Sequence, residues 1–281
     1  MPVRPRLRAP LTLCNTLPME HITSRQNAHF KQARKLAGSA RERNKSQQIV
    51  MDGIRLVGAY ALEFGLQNST LLVSEEGAGN ADIQQILRSG SARHSYLLAP
   101  ELFADITQVE SPEGITAIAD IPRIQAKSPD DFRILLDGLQ DPGNLGGLLR
   151  TAAAAGATSA YLTKGCADPW SPRSLRGGMG AQFILPVHER VDLAITLAQF
   201  DGTVIGTSPR ATQTIYDVDL SGPVAMIFGS EGRGLAGDVL SMANQVVNIP
   251  MAGKVESLNV AAAAAICCFE RMRQSIKHEA R

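Results

Sequence analysis

An apolar run, Phe-Arg-Ile-Leu-Leu at 132–136, passes directly into Asp137-Gly-Leu-Gln-Asp-Pro-Gly-Asn-Leu-Gly-Gly-Leu-Leu-Arg150 and then into an alanine-rich stretch. A short run of strand formers, a glycine-rich turn and a helix-forming segment make a strand-turn-helix unit, and the pattern recurs downstream. The spacing predicts further strands at 159–162, 183–185, 203–205, 224–228 and 245–249, with helices at 171–177, 192–200 and 257–276. Repeated βα units with near-continuously apolar strands dictate a mainly parallel sheet covered on both faces. In such sheets ligands sit beyond the carboxyl ends of the strands. Residues 132–281 are therefore expected to form one α/β domain with its site in the loops that follow the strands.

Upstream the same alternation runs on a smaller scale. Runs at 48–51, 70–73, 95–98 and 114–118 read as strands and 54–64 and 81–87 as helices, a smaller α/β layer within residues 19–121. Residues 122–131, with Pro122, Lys127, Ser128 and Pro129, have linker composition. Residues 1–18 are rich in proline and arginine, contain no acid and lack an apolar segment of signal-peptide length. That composition suits a transit peptide or a disordered tail; the tail is the expectation, with Met19 an alternative start. No apolar run reaches the roughly 18 residues that a membrane span needs, and a cytoplasmic protein is expected.

A formal net charge of +1 conceals an asymmetry, because residues 1–45 carry ten Lys/Arg against two acids. The block from Ile22 reads as a helix start, with Ser24 or Asn27 supplying the capping oxygen. Arg25, Lys31, Arg34, Lys35, Arg41, Arg43 and Lys45 suit contact with a polyanion, RNA above all; charge alone equally fits a solvated surface helix. Cys14, Cys166, Cys267 and Cys268 show no CxxC spacing and read as reduced core residues. The five histidines lack ligand spacing, so no metal site is expected.

Three glycine-bearing segments fall at predicted strand ends. In the first, Gly143, Asn144, Gly146 and Gly147 permit close backbone approach, with Asn144 a plausible helix cap. Its spacing is neither the GxGxxG dinucleotide fingerprint nor GxxxxGK[ST], which argues against a nicotinamide enzyme or an ATP phosphate loop. Arg150 follows Gly147 and Gly146 by three and four positions, on their face of the helix, and suits either a site residue or a structural ion pair. The second segment clusters three glycines with Glu231 and Arg233, where Glu231 is able to hold Arg150 or Arg233. The third turns through Gly253 and brings Glu256, Ser257 and Asn259 to a helix start, Ser257 as the expected cap and Asn259 in the first turn.

These segments, NLGGLLR (144–150), FGSEGRGL (228–235) and IPMAGKVESLNV (249–260), resemble motifs 1, 2 and 3 of the SpoU-type (TrmH-like) RNA 2′-O-ribose methyltransferases of the SPOUT class. The match is in order and covers the whole second domain. Residues 20–121 are similar to the α/β substrate-binding domain that precedes the catalytic domain in many members. The resemblance implies a mainly parallel sheet with a deep trefoil knot, bound S-adenosyl-L-methionine, and a homodimer with a shared active site. It places the cofactor against Thr207, Phe228, Gly229, Ile249, Met251, Ser257 and Leu258, and matches Asn144, Arg150, Glu231 and Asn259 to catalytic and substrate-side positions. One departure is local: family members often carry a serine where this chain has Gly178. The implied activity is S-adenosylmethionine-dependent 2′-O-methylation of a ribose in RNA, large-subunit (23S) rRNA ahead of tRNA. The alternative of a different class is a non-catalytic RNA-binding or ribosome-assembly protein that kept the fold.

Overall fold

The computed structural model describes residues 19–89, 92–125, 129–255 and 257–279, and the tail expected at 1–18 lies outside them. In chain order the first lobe comprises β1 (Glu20–Ile22), α1 (Ala28–Gly38), α2 (Ala40–Ser46), β2 (Gln48–Asp52), α3 (Ile54–Phe64), β3 (Thr70–Ser74), α4 (Ala81–Ser89), β4 (His94–Leu98), α5 (Pro100–Ile106) and β5 (Ile115–Asp120). Its sheet has the order β1-β4-β3-β5-β2, with β5 antiparallel to both its neighbours. Period-two alternation sorts the strands onto two cores. Ile49, Met51, Leu71 and Val73 pack on one face, and Val50, Leu72 and Ile118 on the other with Phe30 and Leu36 of α1. Asn27 is the cap of α1, its side chain accepting the backbone N–H groups of His29 and Phe30 at 2.9 and 3.3 Å.

The second lobe comprises β6 (Phe132–Leu136), α6 (Pro142–Ala154), β7 (Ser159–Thr163), α7 (Pro172–Gly178), β8 (Val187–Val191), α8 (Leu193–Ala198), β9 (Thr203–Thr207), β10 (Gln213–Thr214), β11 (Val224–Phe228), α9 (Gly237–Leu240), β12 (Gln245–Asn248) and α10 (Val260–Glu279). Seven strands pair in parallel throughout, in the order β10-β12-β9-β11-β6-β7-β8. Every residue of β11 is buried: Val224, Met226 and Phe228 face the α6 and α10 side, Ala225 and Ile227 the other. A strand buried on both faces must be apolar at every position, which is why its sequence shows no alternation. Cys267 and Cys268 are buried in the α10 side of that core, and burial pushes the Cys267 thiol up to about 12.

The strand expected at 183–185 is absent. Ala181–Phe183 forms a 3₁₀ turn, and the strand lies later, at β8. Phe183 serves contact between the lobes, buried in the first lobe's core edge-to-face with Tyr60 at 5.3 Å between ring centroids, beside Trp170 and Leu175, while Leu185 is buried in its own lobe's core. The true strand, Val-His-Glu-Arg-Val, is polar because it closes the sheet's edge, where charged residues are favoured. Helix starts differ as well. Asp141, not Asn144, caps α6, accepting the Asn144 N–H at 2.8 Å, and Pro142 takes the first helical position. Asn259, not Ser257, caps α10, accepting from Ala261 and Ala262 at 2.9 and 3.3 Å.

Candidate active site

The site forms at the carboxyl edge of the seven-stranded sheet, where β12, β9, β11 and β6 end side by side. The chain leaves β12 at Asn248 and returns to the sheet at Asn259, whose Nδ2 donates to Asn144 Oδ1 at 2.9 Å at the start of α6. It therefore crosses three strand spacings, about 14 Å, over the ends of β9 and β11. All three glycine-bearing segments meet here.

Their meeting point is a chain of hydrogen bonds. Asn259 donates to Asn144, and Asn144 Nδ2 donates to Glu231 Oε1 at 3.2 Å. Glu231 also accepts the backbone N–H groups of Asp141 and Gln140 at 3.1 and 3.3 Å. Partial burial pushes its carboxyl up, yet the hydrogen bonds from its own backbone, Asn144, Asp141 and Gln140 hold it below the usual carboxylate range. The expectation that Glu231 holds Arg150 or Arg233 is thus corrected: its oxygens are taken by the Asp137–Asn144 turn. Asp141, the α6 cap, is held in turn by Arg173 of α7 at 2.8 Å. Neither Asp141 nor Arg173 was singled out from sequence, although Asp-Pro before a helical run is a recognisable start signal.

Arg150 contrasts with this clamp. It is exposed on α6 and makes no hydrogen bond or ion pair with any described residue. Its guanidinium, like the side chains of Arg233 and Lys254 on the other two segments, is exposed and open to an anionic group.

Thr207, Phe228, Gly229 and Ile249 end or follow the adjacent strands β9, β11 and β12. Thr207 Oγ1 donates to Ile227 O at 2.9 Å, pinning β9 to β11 at this edge. A Cβ on Gly229 would lie 2.2 Å from the carbonyl carbon of Gly234, so only glycine allows the 229–235 loop to close on the strand end. Met251, Ser257 and Leu258 lie on the crossing segment, where Val255 is 62% and Leu258 39% exposed. Main-chain ends under uncovered aliphatic groups match a ligand with a planar apolar part and polar ends, which S-adenosylmethionine has.

The departure at Gly178 also has a physical reason. A side chain there would collide with Gln182, whose Oε1 is 2.0 Å from the Cβ position. The buried Gln182 amide donates instead to Pro169 O and Ser174 O at 3.2 and 3.0 Å and braces α7.

Of the seven basic residues assigned to RNA, six are exposed: Arg25, Lys31, Arg34, Lys35, Arg41 and Lys45. Arg25 pairs with Asp105, and Lys31 bonds Gln26. Arg43 is corrected. Its side chain is 5% exposed, is paired with Asp168 of the second lobe at 2.6 Å, and donates to Leu36 O, so it joins the lobes and does not face a ligand. Among the described residues there is no cluster of His, Cys, Asp or Glu able to hold a metal, and no helix long and apolar enough to cross a membrane.

Residues 131–269 match the SpoU rRNA Methylase family, and residues 27–117 the MRM3-like substrate binding domain. The chain is 36% identical over 264 residues to the uncharacterized tRNA/rRNA methyltransferase slr1673 of Synechocystis sp., spanning 92% of this chain and 96% of that protein. It is 30% identical over 253 residues to the Bacillus subtilis 23S rRNA (guanosine(2553)-2'-O)-methyltransferase RlmP, spanning 89% of this chain and 98% of that one. The crystal structure of the SpoU methyltransferase AviRb from Streptomyces viridochromogenes, in complex with the cofactor AdoMet, superposes with a TM-score of 0.79 at 28% identity, covering 89% of this chain and 99% of the other. With its three motif segments joined at one sheet edge, the chain belongs to the SpoU rRNA methylase family.

Proposed function

We propose that this chain transfers a methyl group from S-adenosylmethionine to a ribose 2′-hydroxyl of RNA, in large-subunit (23S) ribosomal RNA. The observation that carries the reading is the Asn259–Asn144–Glu231 hydrogen-bonded chain, which fixes three loops around the start of α6 while Arg150 stays exposed. The cofactor is assigned to the ends of β12, β9 and β11, at Thr207, Phe228, Gly229, Ile249, Met251, Ser257 and Leu258. When bound it supplies a sulfonium methyl, electrophilic without a metal. Asn144, Glu231 and Asn259 hold the loops in register, so that a ribose docked against them is oriented before reaction. Such proximity and orientation account for about 7 to 11 kcal/mol in favourable cases. Arg150 binds the substrate phosphate and stabilises the negative charge growing on the 2′-oxygen. A guanidinium donates hydrogen bonds and accepts none, so the 2′-hydroxyl proton leaves to solvent water.

Arg25, Lys31, Arg34, Lys35, Arg41 and Lys45 are assigned to RNA phosphates, which gives salt-dependent affinity without sequence reading. The crossing segment 249–259 is assigned to the family's knot. A homodimer is proposed across the outer side of α10, where Phe269 and Ile276, two turns apart, are 47% and 55% exposed. A cytoplasmic location accords with an rRNA substrate.

Mapping ribose methylation across total RNA from cells with and without the gene tests the function. The expected result is loss of a 2′-O-methyl group from large-subunit rRNA. A site lost from tRNA moves the substrate, and no lost site removes the catalytic reading in favour of an RNA-binding protein.

A further inference from the structure

A cavity of about 190 Å³ lies between the lobes, lined on one side by Asn44 of α2 and on the other by Lys164, Cys166, Asp168, Glu189 and Arg190, at and just beyond the carboxyl ends of β7 and β8. Its size is several times the roughly 30 Å³ of a water and below that of drug-sized sites, which suits one planar heterocycle. It opens at the same sheet edge as the candidate active site, one strand beyond β6. The two share a wall. Ala167 N donates to Leu139 O at 2.7 Å and Cys166 Sγ to Leu136 O at 3.2 Å, while two residues past Leu139 the N–H of Asp141 reaches Glu231.

Its polar groups divide into engaged and available ones. Asp168 is engaged by Arg43 at 2.6 Å, and Glu189 accepts the indole N–H of Trp170 at 2.9 Å. The side chains of Lys164, Arg190 and Asn44 are exposed and make no hydrogen bond or ion pair with any described residue. Arg190 is also held in the left-handed region, φ 57°, as the extra residue where the β7–β8 register shifts after Leu162. A non-glycine residue is uncommon there because its Cβ crowds the following carbonyl oxygen, and bulges of this kind re-aim a side chain. On α2, Ala40 and Asn44 share the face that lines the cavity; Arg41 and Lys45 follow them by one position and flank it.

Resting on the function proposed above, we propose that this cavity receives an unpaired nucleotide of the RNA substrate, its phosphate held by Lys164 and Arg190 and its base edge met by Asn44. Bases splayed out of loops are the usual means by which proteins read RNA sequence, so the pocket is a specificity site for the target loop. Arg41 and Lys45 guide the adjoining backbone along α2 toward it.

The test compares wild type with Lys164→Ala/Arg190→Ala in filter binding to an unmodified 23S rRNA transcript over a range of salt, with S-adenosylmethionine affinity as the control for folding. Two lost phosphate contacts make the slope of log Kd against log salt shallower by about 1.4, and Lys164→Arg/Arg190→Lys restores it. The emission of Trp170, the chain's one tryptophan, is expected to respond to RNA in wild type and less in the double alanine variant. An unchanged slope and unchanged affinity in that variant overturn the pocket. Wild type that binds S-adenosylmethionine but not the transcript overturns the rRNA substrate instead, and the same comparison on a mixed-sequence oligoribonucleotide then decides the pocket by the same criterion.

Discussion

The carboxyl edge of the seven-stranded sheet has two unlike halves. Over β6, Asn144, Glu231, Asn259 and Asp141 are hydrogen-bonded to one another and to the backbone, with Arg173 on Asp141. The crossing segment that arrives from β12 instead leaves Val255 and Leu258 uncovered. The first half is organised without any ligand, as a site that orients a substrate needs to be, because donors already in place reorganise least during reaction. The second has apolar surface whose natural cover is a bound molecule. Arg150 follows on α6 yet is outside these hydrogen bonds, which is why the proposed mechanism gives it the substrate and gives the others the loops.

Three measurements break or sharpen that division. The largest effect is expected for Arg150→Ala: kcat falls about 100-fold or more, as for other lost transition-state donors, while S-adenosylmethionine binding by calorimetry is unchanged. Near-normal turnover would remove Arg150 from the chemistry. Next comes Leu258→Ala, which takes away apolar cover worth about 1 to 2 kcal/mol and should weaken S-adenosylmethionine binding about tenfold, with RNA affinity intact. Unaltered cofactor affinity would move the cofactor away from the crossing segment.

The smallest effect is on the pH profile of stability in Glu231→Gln. Because the Glu231 carboxyl is held below its ordinary range in the folded protein, its contribution is in force above the unfolded pKa and is lost as pH falls through the folded one. Thermal melts from neutral to acidic pH should therefore show wild type losing more stability than the variant, modestly, since the group is exposed. Parallel acid limbs would mean that the charge of Glu231 does not hold the clamp.

Periodicity made the β6, β11 and α3 segments legible to the residue, because each answers to a local rule: a strand buried on both faces, or a helix with one apolar stripe. It failed at 183–185, where three consecutive apolar residues go to three places: Phe183 to the other lobe's core, Ile184 to the surface and Leu185 to its own lobe's core. Arg43 failed for a related reason. In sequence it is one basic residue among several on a polar helix, and only the approach of Asp168, 125 positions away, makes it a buried partner.

The sequence by itself determined the order of the βα units, the place of the three glycine-bearing segments at strand ends, and the residue types each brings. Those follow from hydrophobic period and backbone freedom over a few residues. Only the tertiary structure decided that Glu231 faces the Asp137–Asn144 turn in place of an arginine, that Asn259 ties α10 to α6, that Gln182 fills the space over Gly178, and that a cavity opens between α2 and β8. Each is a contact between residues far apart in the chain, set by strand order and lobe packing, and no local pattern encodes which distant group completes a hydrogen bond.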